Sequence, residues 1–266
     1  MQPRAVGEVS LSVKHADGQT RLATLRQSGS LKVLFPRNPG GDHCLAVLVN
    51  TAGGITGGDR FSLNAEAGPG AALSFTTQAA ERAYRAAADL IGRVRTVLRV
   101  RAGARLNWLP QETLIFDGSA LDRRLEVHFD KDASALIVEP LVLSRAAMGE
   151  VVRRAKLCDR IEVTRNGAPL VLDQIRMTGN IAAQLAHPAT GGGALAMANL
   201  LFIDPSAEAC LPAVRDMLPA TGGASLRAPD VLALRLLAAD SHEMRKTLLP
   251  ILKLLSGNEI PRPWMI

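Results

Sequence analysis

The chain has 266 residues, a formal net charge of +6, 47% hydrophobic residues and 21% charged residues. This composition excludes general disorder and predicts a packed core within one domain, residues 1–266. Aromatic residues make up only 3% of the chain, so the core must consist mainly of Leu, Val, Ile and Ala.

Alternation of apolar and polar residues predicts β-strands along most of the chain, beginning with Val9, Leu11 and Val13 in residues 7–17. The remaining predicted strands are residues 31–36, 43–50, 60–77 (two strands joined by a turn at Gly68-Pro69-Gly70), 93–100, 104–116, 122–130, 134–144 and 155–177. Asn166-Gly167 indicates a hairpin within the last segment. Many short strands separated by turn residues favour a mainly β architecture.

Arginine recurs on one side of the predicted strand at residues 93–101, at positions 93, 95, 99 and 101. The spacing predicts a strand with a solvated basic face. The other basic residues are scattered, so an acidic protein partner is expected in preference to nucleic acid.

Two regions have helical character. Residues 78–92 are rich in Ala, Glu and Arg, which predicts a helix there. About two helices are predicted in the C-terminal third, a short one at 212–218 and an amphipathic one at 241–257. Ser241 stands at a capping position of the second helix, and Pro250 is expected to bend or divide it. The glycine-rich stretches 189–196 and 219–230 are interpreted as loops, not domain boundaries.

The densest motif is GGITGGDR at residues 53–60. Gly53 and Gly58 have the spacing of a phosphate-binding loop, but Asp59 stands where a lysine is required and would repel phosphate. Two interpretations remain open. The glycines, which include Gly54 and Gly57, form a tight structural turn, or the loop presents Asp59 to a partner or a metal ion.

Local metal-binding and catalytic motifs are absent from the sequence. No two of the five histidines lie three to five residues apart, and no C-x-x-C, H-E-x-x-H or G-x-S-x-G string occurs. The adjacent Asp42, His43 and Cys44 would alternate between the faces of a strand, which favours an incidental role. No permanently bound cofactor is therefore expected.

The three cysteines are Cys44, Cys158 and Cys210, and their number and separation argue against a disulfide framework. The chain starts without an apolar signal segment and has no apolar run long enough for a membrane span. We therefore expect a cytoplasmic protein that does not enter a membrane.

Three carboxylates interrupt or follow apolar segments: Glu112, Asp117 and Glu139. A carboxylate in a strand core is costly unless it is paired or hydrated. One interpretation is pairing with arginine, with Arg145 as the candidate partner of Glu139. The other is an internal polar channel or acid site.

Four strings together carry a family resemblance: NTAGGITGGDRF, SFTTQAAERAYR, LNWLPQETLIFDGS and EPLVLSRAAMGE. Their order and approximate spacing resemble those of the UreD (UreH) urease accessory proteins, and the similarity continues through VLALRLLAADSHEMRKTLLPILKLL to the closing Pro-Arg-Pro-Trp. The resemblance covers nearly the whole chain. It implies an irregular β-helix-like (helicoidal) array of many short strands with about two α-helices near the C-terminal third.

The resemblance also implies a function, that of a scaffold rather than an enzyme. Family members are expected to bind the accessory protein UreF, which recruits the GTPase UreG, and to dock on the urease apoprotein, in a complex that is compatible with a dimer. Ni²⁺ is expected to pass through an internal wet passage. The implied passage residues are Asp59, Glu112 and Glu139, with Thr76, Thr77 and Gln78 as weaker candidates. Oxygen ligands of this kind favour transit over storage of nickel.

The sequence leaves two other functions open. One is a purely structural subunit that bridges proteins and never contacts metal. The other is a β-helical hydrolase that uses Glu112, Asp117 and Glu139 as acid/base pairs, although the few aromatic residues are a poor supply for stacking sugars.

Overall fold

The computed structural model describes residues 3–36, 43–87, 89–143 and 149–265. Most of them form β-strands, which in chain order are β1 (Val6–Ala16), β2 (Gln19–Gly29), β3 (Leu31–Leu34), β4 (Cys44–Asn50), β5 (Arg60–Ala67), β6 (Ala72–Thr77), β7 (Glu81–Ala83), β8 (Gly92–Val100), β9 (Arg105–Leu109), β10 (Thr113–Ile115), β11 (Ala120–Phe129), β12 (Ser134–Val142), β13 (Ala155–Arg165), β14 (Ala168–Gly179), β15 (Ala196–Ile203), β16 (Gly222–Ala228) and β17 (Val231–Ala238). The helices within these ranges are α1 (Ile181–Ala186), α2 (Ala207–Asp216) and α3 (Ser241–Ser256), followed by a 3₁₀ turn at Arg262–Met265.

The strands form two sheets. Sheet 1 has the order β14-β13-β11-β8-β5-β1-β2, and sheet 2 has the order β16-β17-β15-β12-β9-β6-β4-β3, with β7 and β10 beside it. From β4 to β13 the chain passes repeatedly from one sheet to the other, and equivalent strands of successive coils pair in parallel. The result is a stack of coils that resembles a β-solenoid, and it confirms the predicted mainly β, helicoidal fold.

Within a sheet, inward-facing side chains of successive coils lie next to each other in rows. In sheet 1, Leu63 pairs with Thr96, Thr96 with Leu125, and Leu125 with Ile161. The inward-facing residues of both sheets form one buried cluster, and in sheet 1 the residues between them in sequence face solvent. The alternation of the sequence therefore becomes the inside and outside of the stack.

Two of the helices, α2 and α3, cover part of the outer face of sheet 2. There α2 and α3 bury a second cluster against β12, β15 and β17. The Asp240 carboxylate caps α3 by accepting from the backbone N–H of Glu243, and Gly257 ends the helix in the left-handed conformation. Pro250 lies inside α3, which continues as one helix past it. No helix in the described ranges is long and apolar enough to cross a membrane.

Residues 78–92 were predicted as a helix, and that prediction is wrong. The segment contains β7, which pairs in parallel with β10, and it enters β8 at Gly92. Its backbone is tied to the glycine loop, because Ile55 donates to the Arg82 carbonyl and Tyr84 donates to the Ile55 carbonyl. These long-range backbone hydrogen bonds outweigh a high local helix propensity.

Other boundaries also differ from expectation. The predicted strand at 104–116 is divided into β9 and β10, and the capping residue of α3 is Asp240, one position before Ser241. The short helix predicted at 212–218 begins earlier, at Ala207, and ends at Asp216. The patterns did not predict β2, α1, or the three strands β15 to β17.

Candidate functional site

The buried polar centre of the stack is built around Glu139. This residue lies in β12 between the inward-facing Ile137 and Leu141, so its carboxylate points into the space between the sheets. Arg123 enters the same space from β11, and its Nη1 lies 2.6 Å from Glu139 Oε2. The Trp108 indole N–H donates to Glu139 Oε1 at 2.7 Å. A residue of each sheet thus contributes to one ion pair in the core.

Asp159 completes this centre. It neighbours Arg123 across the parallel β11–β13 pair, and the guanidinium donates to both its oxygens, Nε to Oδ1 at 2.8 Å and Nη2 to Oδ2 at 2.7 Å. Arg123 Nη1 also donates to Thr113 Oγ1 at 3.0 Å. We call Arg123, Glu139 and Asp159 the central triad. Two carboxylates face one guanidinium, so the ionised triad has one excess negative charge.

A cavity lies beside the central triad. Its volume is about 80 Å³, counted as the space in which the centre of a water molecule can lie. Its lining includes Glu139, Arg123, Trp108, Thr77 and Glu81. A single water needs roughly 10–15 Å³ by this measure, so the cavity has room for several. Most of its wall is apolar, and its carboxylates are Glu139 and Glu81 among the described residues.

Burial changes the proton affinities of the carboxylates on this cavity. Desolvation raises the pKa of Glu139 to about 6, although the charge of Arg123 and the hydrogen bond from Trp108 oppose the shift. Glu81 also has a pKa raised by burial, against the hydrogen bond from Asn50 Nδ2 to Glu81 Oε2 at 3.0 Å. Burial of Arg123 lowers its pKa, but the charges of Asp159 and Glu139 outweigh that effect, so the pKa of Arg123 is raised and the guanidinium stays charged.

A polar row continues from the central triad across sheet 2. Glu139 is the register partner of Asn199, which is the register partner of Arg235. Asn199 accepts from Arg235 Nε at 2.8 Å and donates to Asp173 Oδ2 at 2.9 Å. Asp173 also accepts from Arg235 Nη2 at 2.6 Å. These last three residues line an open cleft of about 330 Å³, so the row places that cleft on the same face of sheet 2 as Glu139.

Glu112 has a different environment on the outer side of sheet 2. Arg245 Nη1, from α3, donates to both of its oxygens at 2.9 and 3.1 Å, and Ser241 Oγ donates to Oε1 at 3.2 Å. The Arg245 guanidinium also lies 5.1 Å from the ring centroid of Trp264, whose indole N–H donates to the Leu109 carbonyl at 2.8 Å. Glu112 therefore joins α3 and the C-terminal turn to sheet 2.

The glycine loop holds Asp59 with backbone donors. The Ala5 N–H donates to Oδ1 at 2.9 Å and the Thr56 N–H donates to Oδ2 at 2.8 Å, and the side chain is buried. Gly53, Gly54 and Gly58 all have positive φ angles. At Gly57 a Cβ atom would lie 2.6 Å from the Leu90 carbonyl oxygen. These contacts favour the interpretation of the loop as a structural junction.

The remaining predicted residues are dispersed. Thr76 is buried, Thr77 accepts from the Gln111 N–H at 2.9 Å and lines the cavity, and Gln78 is exposed. Arg145, the expected partner of Glu139, lies outside the described residues; among the residues that are described, Arg123 pairs with Glu139. Of the predicted residues, Glu139 and Thr77 meet at the cavity, whereas Asp59 and Glu112 do not line it.

Sequence reasoning missed Arg123, Asp159, Glu81 and the Asp173–Asn199–Arg235 group. The sequence carried a signal for two of them. Arg123 lies two residues from Leu121 and two from Leu125, so it is expected on the same, inward face of the strand. Asp159 stands in the same relation to Ile161. Within the described ranges, no group of three or more His, Cys, Asp or Glu residues has the geometry to hold a metal ion. The carboxylates could contact a divalent cation only weakly.

Comparisons with known proteins identify the family. A model described as UreD urease accessory protein matches residues 5–265. A protein of Ruegeria pomeroyi named urease accessory protein UreD is 54% identical over 97% of this chain and 100% of its own length. Proteins of the same name from Roseobacter denitrificans and Rhizobium etli are 45% and 42% identical, over 100% and 98% of this chain and 96% and 95% of their own lengths.

Proposed function

This chain belongs to the UreD family of urease accessory proteins, and from that premise we propose that it is a non-catalytic scaffold in urease maturation. In this proposal it binds the urease apoprotein together with the accessory protein UreF and the GTPase UreG. Its cargo is Ni²⁺, which passes through the interior of the stack and is not retained. A dimeric arrangement within the accessory complex and a cytoplasmic location are part of the same proposal.

The observation that carries the nickel route is the position of Glu139. It is a buried carboxylate on the wall of a cavity large enough for water, and Oε2 has no well-aligned hydrogen bond among the described residues besides its ion pair with Arg123. An oxygen ligand in that position can exchange one water of a hydrated cation and release it again. The Asn199–Arg235–Asp173 row supplies a polar continuation towards the surface cleft.

The charge of the central triad is compatible with transit. A lone arginine would repel Ni²⁺, but Arg123 is neutralised by Glu139 and Asp159, which leave one excess negative charge. Such a site attracts a divalent cation weakly. Because the pKa of Glu139 is about 6, protonation below that pH removes the excess charge and should oppose entry of the metal.

The assignment of Asp59 and Glu112 to the nickel passage stays a prediction. Both are fully engaged, Asp59 by two backbone N–H donors and Glu112 by Arg245 and Ser241. Their contacts favour a structural contribution, so we place the proposed route at Glu139, Glu81 and Thr77. The acid-pair hydrolase has less support, since each of its three proposed carboxylates belongs to a separate cluster of partners.

The competing function is a bridging subunit that never contacts nickel. It is favoured by the contacts of Arg123, because each of the three guanidinium nitrogens already donates to a side-chain oxygen. The deciding experiment compares Glu139→Ala and Glu139→Gln with Glu126→Gln, which changes a half-buried carboxylate on the solvent face of β11. Each variant is expressed with the urease operon, and co-purification of the complex, nickel content of urease and urease activity are measured.

We expect both Glu139 variants to retain the complex and to lose urease activity by about tenfold or more, as supporting residues of metal sites do. Glu126→Gln should activate urease normally. Normal activation by both Glu139 variants would refute the nickel route and favour the bridging function. Failure of the wild-type chain to co-purify with urease or its accessory proteins would refute the scaffold itself.

A further inference from the structure

A second opening lies at the start of β11 and β13, away from the central triad. It is a cleft of about 440 Å³ whose rim carries Arg85, Arg154 and Lys156, and among its described lining residues Asp89 is the one carboxylate. All three cations are exposed. The proposed nickel route uses none of them, and a basic cleft would repel a free divalent cation.

Asp117 organises two sides of this cleft. Its Oδ1 accepts from the backbone N–H groups of Arg153 and Arg154, at 2.9 and 2.8 Å, and its Oδ2 accepts from Arg85 Nη2 at 3.1 Å. The Arg154 N–H is the main cause that lowers the pKa of Asp117, with Arg85 adding to it. The Arg85 side chain lies over Gly118, where a Cβ atom would meet it at 2.8 Å. Asp117 therefore fixes the Arg85 guanidinium and the backbone at Arg154 on two sides of the cleft before any ligand arrives.

The ion pairs of the cleft indicate its ligand chemistry. Lys156 Nζ lies 3.6 Å from Asp89 Oδ1, and the Asp89 side chain is fully exposed. A pair this open contributes little to stability, so an incoming carboxylate can replace Asp89 at small cost. Arg85, likewise, already holds one carboxylate and keeps further donors on an exposed guanidinium.

A protein segment fits this cleft better than phosphate does. Phosphate sites usually use backbone N–H groups of a helix start or a nest. Here the rim N–H groups of Ala86, Gly118, Arg154 and Lys156 already donate to carbonyl or carboxylate oxygens. The partly exposed Leu90 adds an apolar surface beside the charges, as expected where a mixed acidic and apolar peptide docks.

We propose that the cleft of Arg85, Arg154 and Lys156 binds an acidic segment of a protein partner, whose carboxylates take the place of Asp89. The proposal rests on the scaffold function and is independent of the nickel route. It makes the cleft a contact that contributes to assembly of the complex, with strong dependence on ionic strength.

The test measures binding of fluorescein-labelled hexaglutamate to the full-length chain at low salt by anisotropy, with hexaglutamine as the uncharged control probe. The variant R154E/K156E is compared with R26E/R93E, which makes the same change in net charge on the exposed faces of β2 and β8. We expect at least about tenfold weaker binding in the cleft variant and less than about a twofold change in the control. Equal losses in both variants would overturn the proposal, because net charge alone would then explain binding.

Two further measurements, phosphate displacement and co-purification, identify the ligand and separate this proposal from the proposed function. Displacement of hexaglutamate by inorganic phosphate, with phosphate binding as tightly as the peptide, would overturn the assignment to a protein segment. In cells with the urease operon, R154E/K156E should reduce co-purification of the complex, whereas Glu139→Ala should leave co-purification intact. Full assembly of R154E/K156E would refute the cleft contact while leaving the scaffold function standing.

Discussion

Arg123 shows at the scale of one residue how a charge is accommodated inside this core. Its guanidinium meets both oxygens of Asp159, one oxygen of Glu139 and the Thr113 hydroxyl. Each carboxylate would be costly to bury alone, and the shared cation offsets that cost. The three residues are thus interdependent, and removal of the cation affects both acids.

Arg123→Met should destabilise the protein by about 3–5 kcal/mol, because it leaves two buried carboxylates without a counter-charge. The matched control is Arg124→Met, since the next side chain of β11 faces solvent and its loss should cost less than about 1 kcal/mol. Urea unfolding followed by circular dichroism measures both. Equal stability of the two variants would show that the central triad is not an ion pair in the folded protein.

Glu139 should make stability depend on pH. Its pKa rises from an ordinary value of 4.5 to about 6 on folding, so the folded state binds the proton more tightly than the unfolded chain does. The stabilisation is complete below pH 4.5 and is lost as pH rises through 6, with a size on the order of 2 kcal/mol. The difference in unfolding free energy between wild type and Glu139→Gln should fall over that window. A constant difference would contradict the assigned shift.

At the scale of elements, the glycine loop joins segments that are distant in sequence. The Asn50 side chain donates to the Gly54 carbonyl, and the backbone of Ile55 bridges to the segment that contains β7. Asp59 ties the end of the loop to Ala5 beside β1. The loop thereby positions the start of β5 in sheet 1. Because these segments approach the loop closely, the loop backbone needs glycine.

Gly54→Ala should be clearly more damaging than Gly53→Ala. A Cβ atom at Gly54 would lie 2.3 Å from the Tyr84 ring and 2.8 Å from the Arg82 carbonyl oxygen, whereas at Gly53 nothing lies within 4 Å. Both positions have positive φ, so Gly53→Ala should cost about 1 kcal/mol from backbone strain alone and Gly54→Ala about 3 kcal/mol or more. Thermal or urea unfolding measures the difference, and similar losses would contradict the close packing.

At the scale of the whole molecule, sheet 2 is shared by two hydrophobic clusters. One cluster fills the space between the sheets and contains Trp108, and the other lies under α2 and α3 and contains Trp264. Alternate residues of β12 enter the two clusters, so neither can lose its packing without disturbing the same strand. The layers are expected to unfold together.

The chain has two tryptophans, one in each cluster, and this allows a direct test of cooperativity. Trp264→Phe leaves Trp108 to report on the space between the sheets, and Trp108→Phe leaves Trp264 to report on the helical layer. In each variant the urea transition seen by fluorescence should coincide with that seen by circular dichroism. Separate midpoints within one variant would show that the helical layer unfolds independently.

Much of the architecture could be predicted from local sequence. Alternation identified the strands that stack in parallel, because a period of two places the apolar side chains on one face whatever the partner strand is. The amphipathic pattern of α3 and the buried position of Glu112 and Glu139 followed from neighbouring residues in the same way. The resemblance of four strings to UreD proteins identified the family, which the match over residues 5–265 supports.

Only the tertiary structure decided which distant residues meet. Among the described residues, the partner of Glu139 is Arg123, which faces it from the opposite sheet, and no local pattern encodes that contact. The described residues of the segment 78–92 form no helix for a similar reason, since hydrogen bonds to the glycine loop and to β10 override local propensity. The sequence by itself therefore determined most of the stacked strands and their buried faces, because alternation is local, whereas the packing of the two sheets against each other decided the cavity and the ion pair beside it.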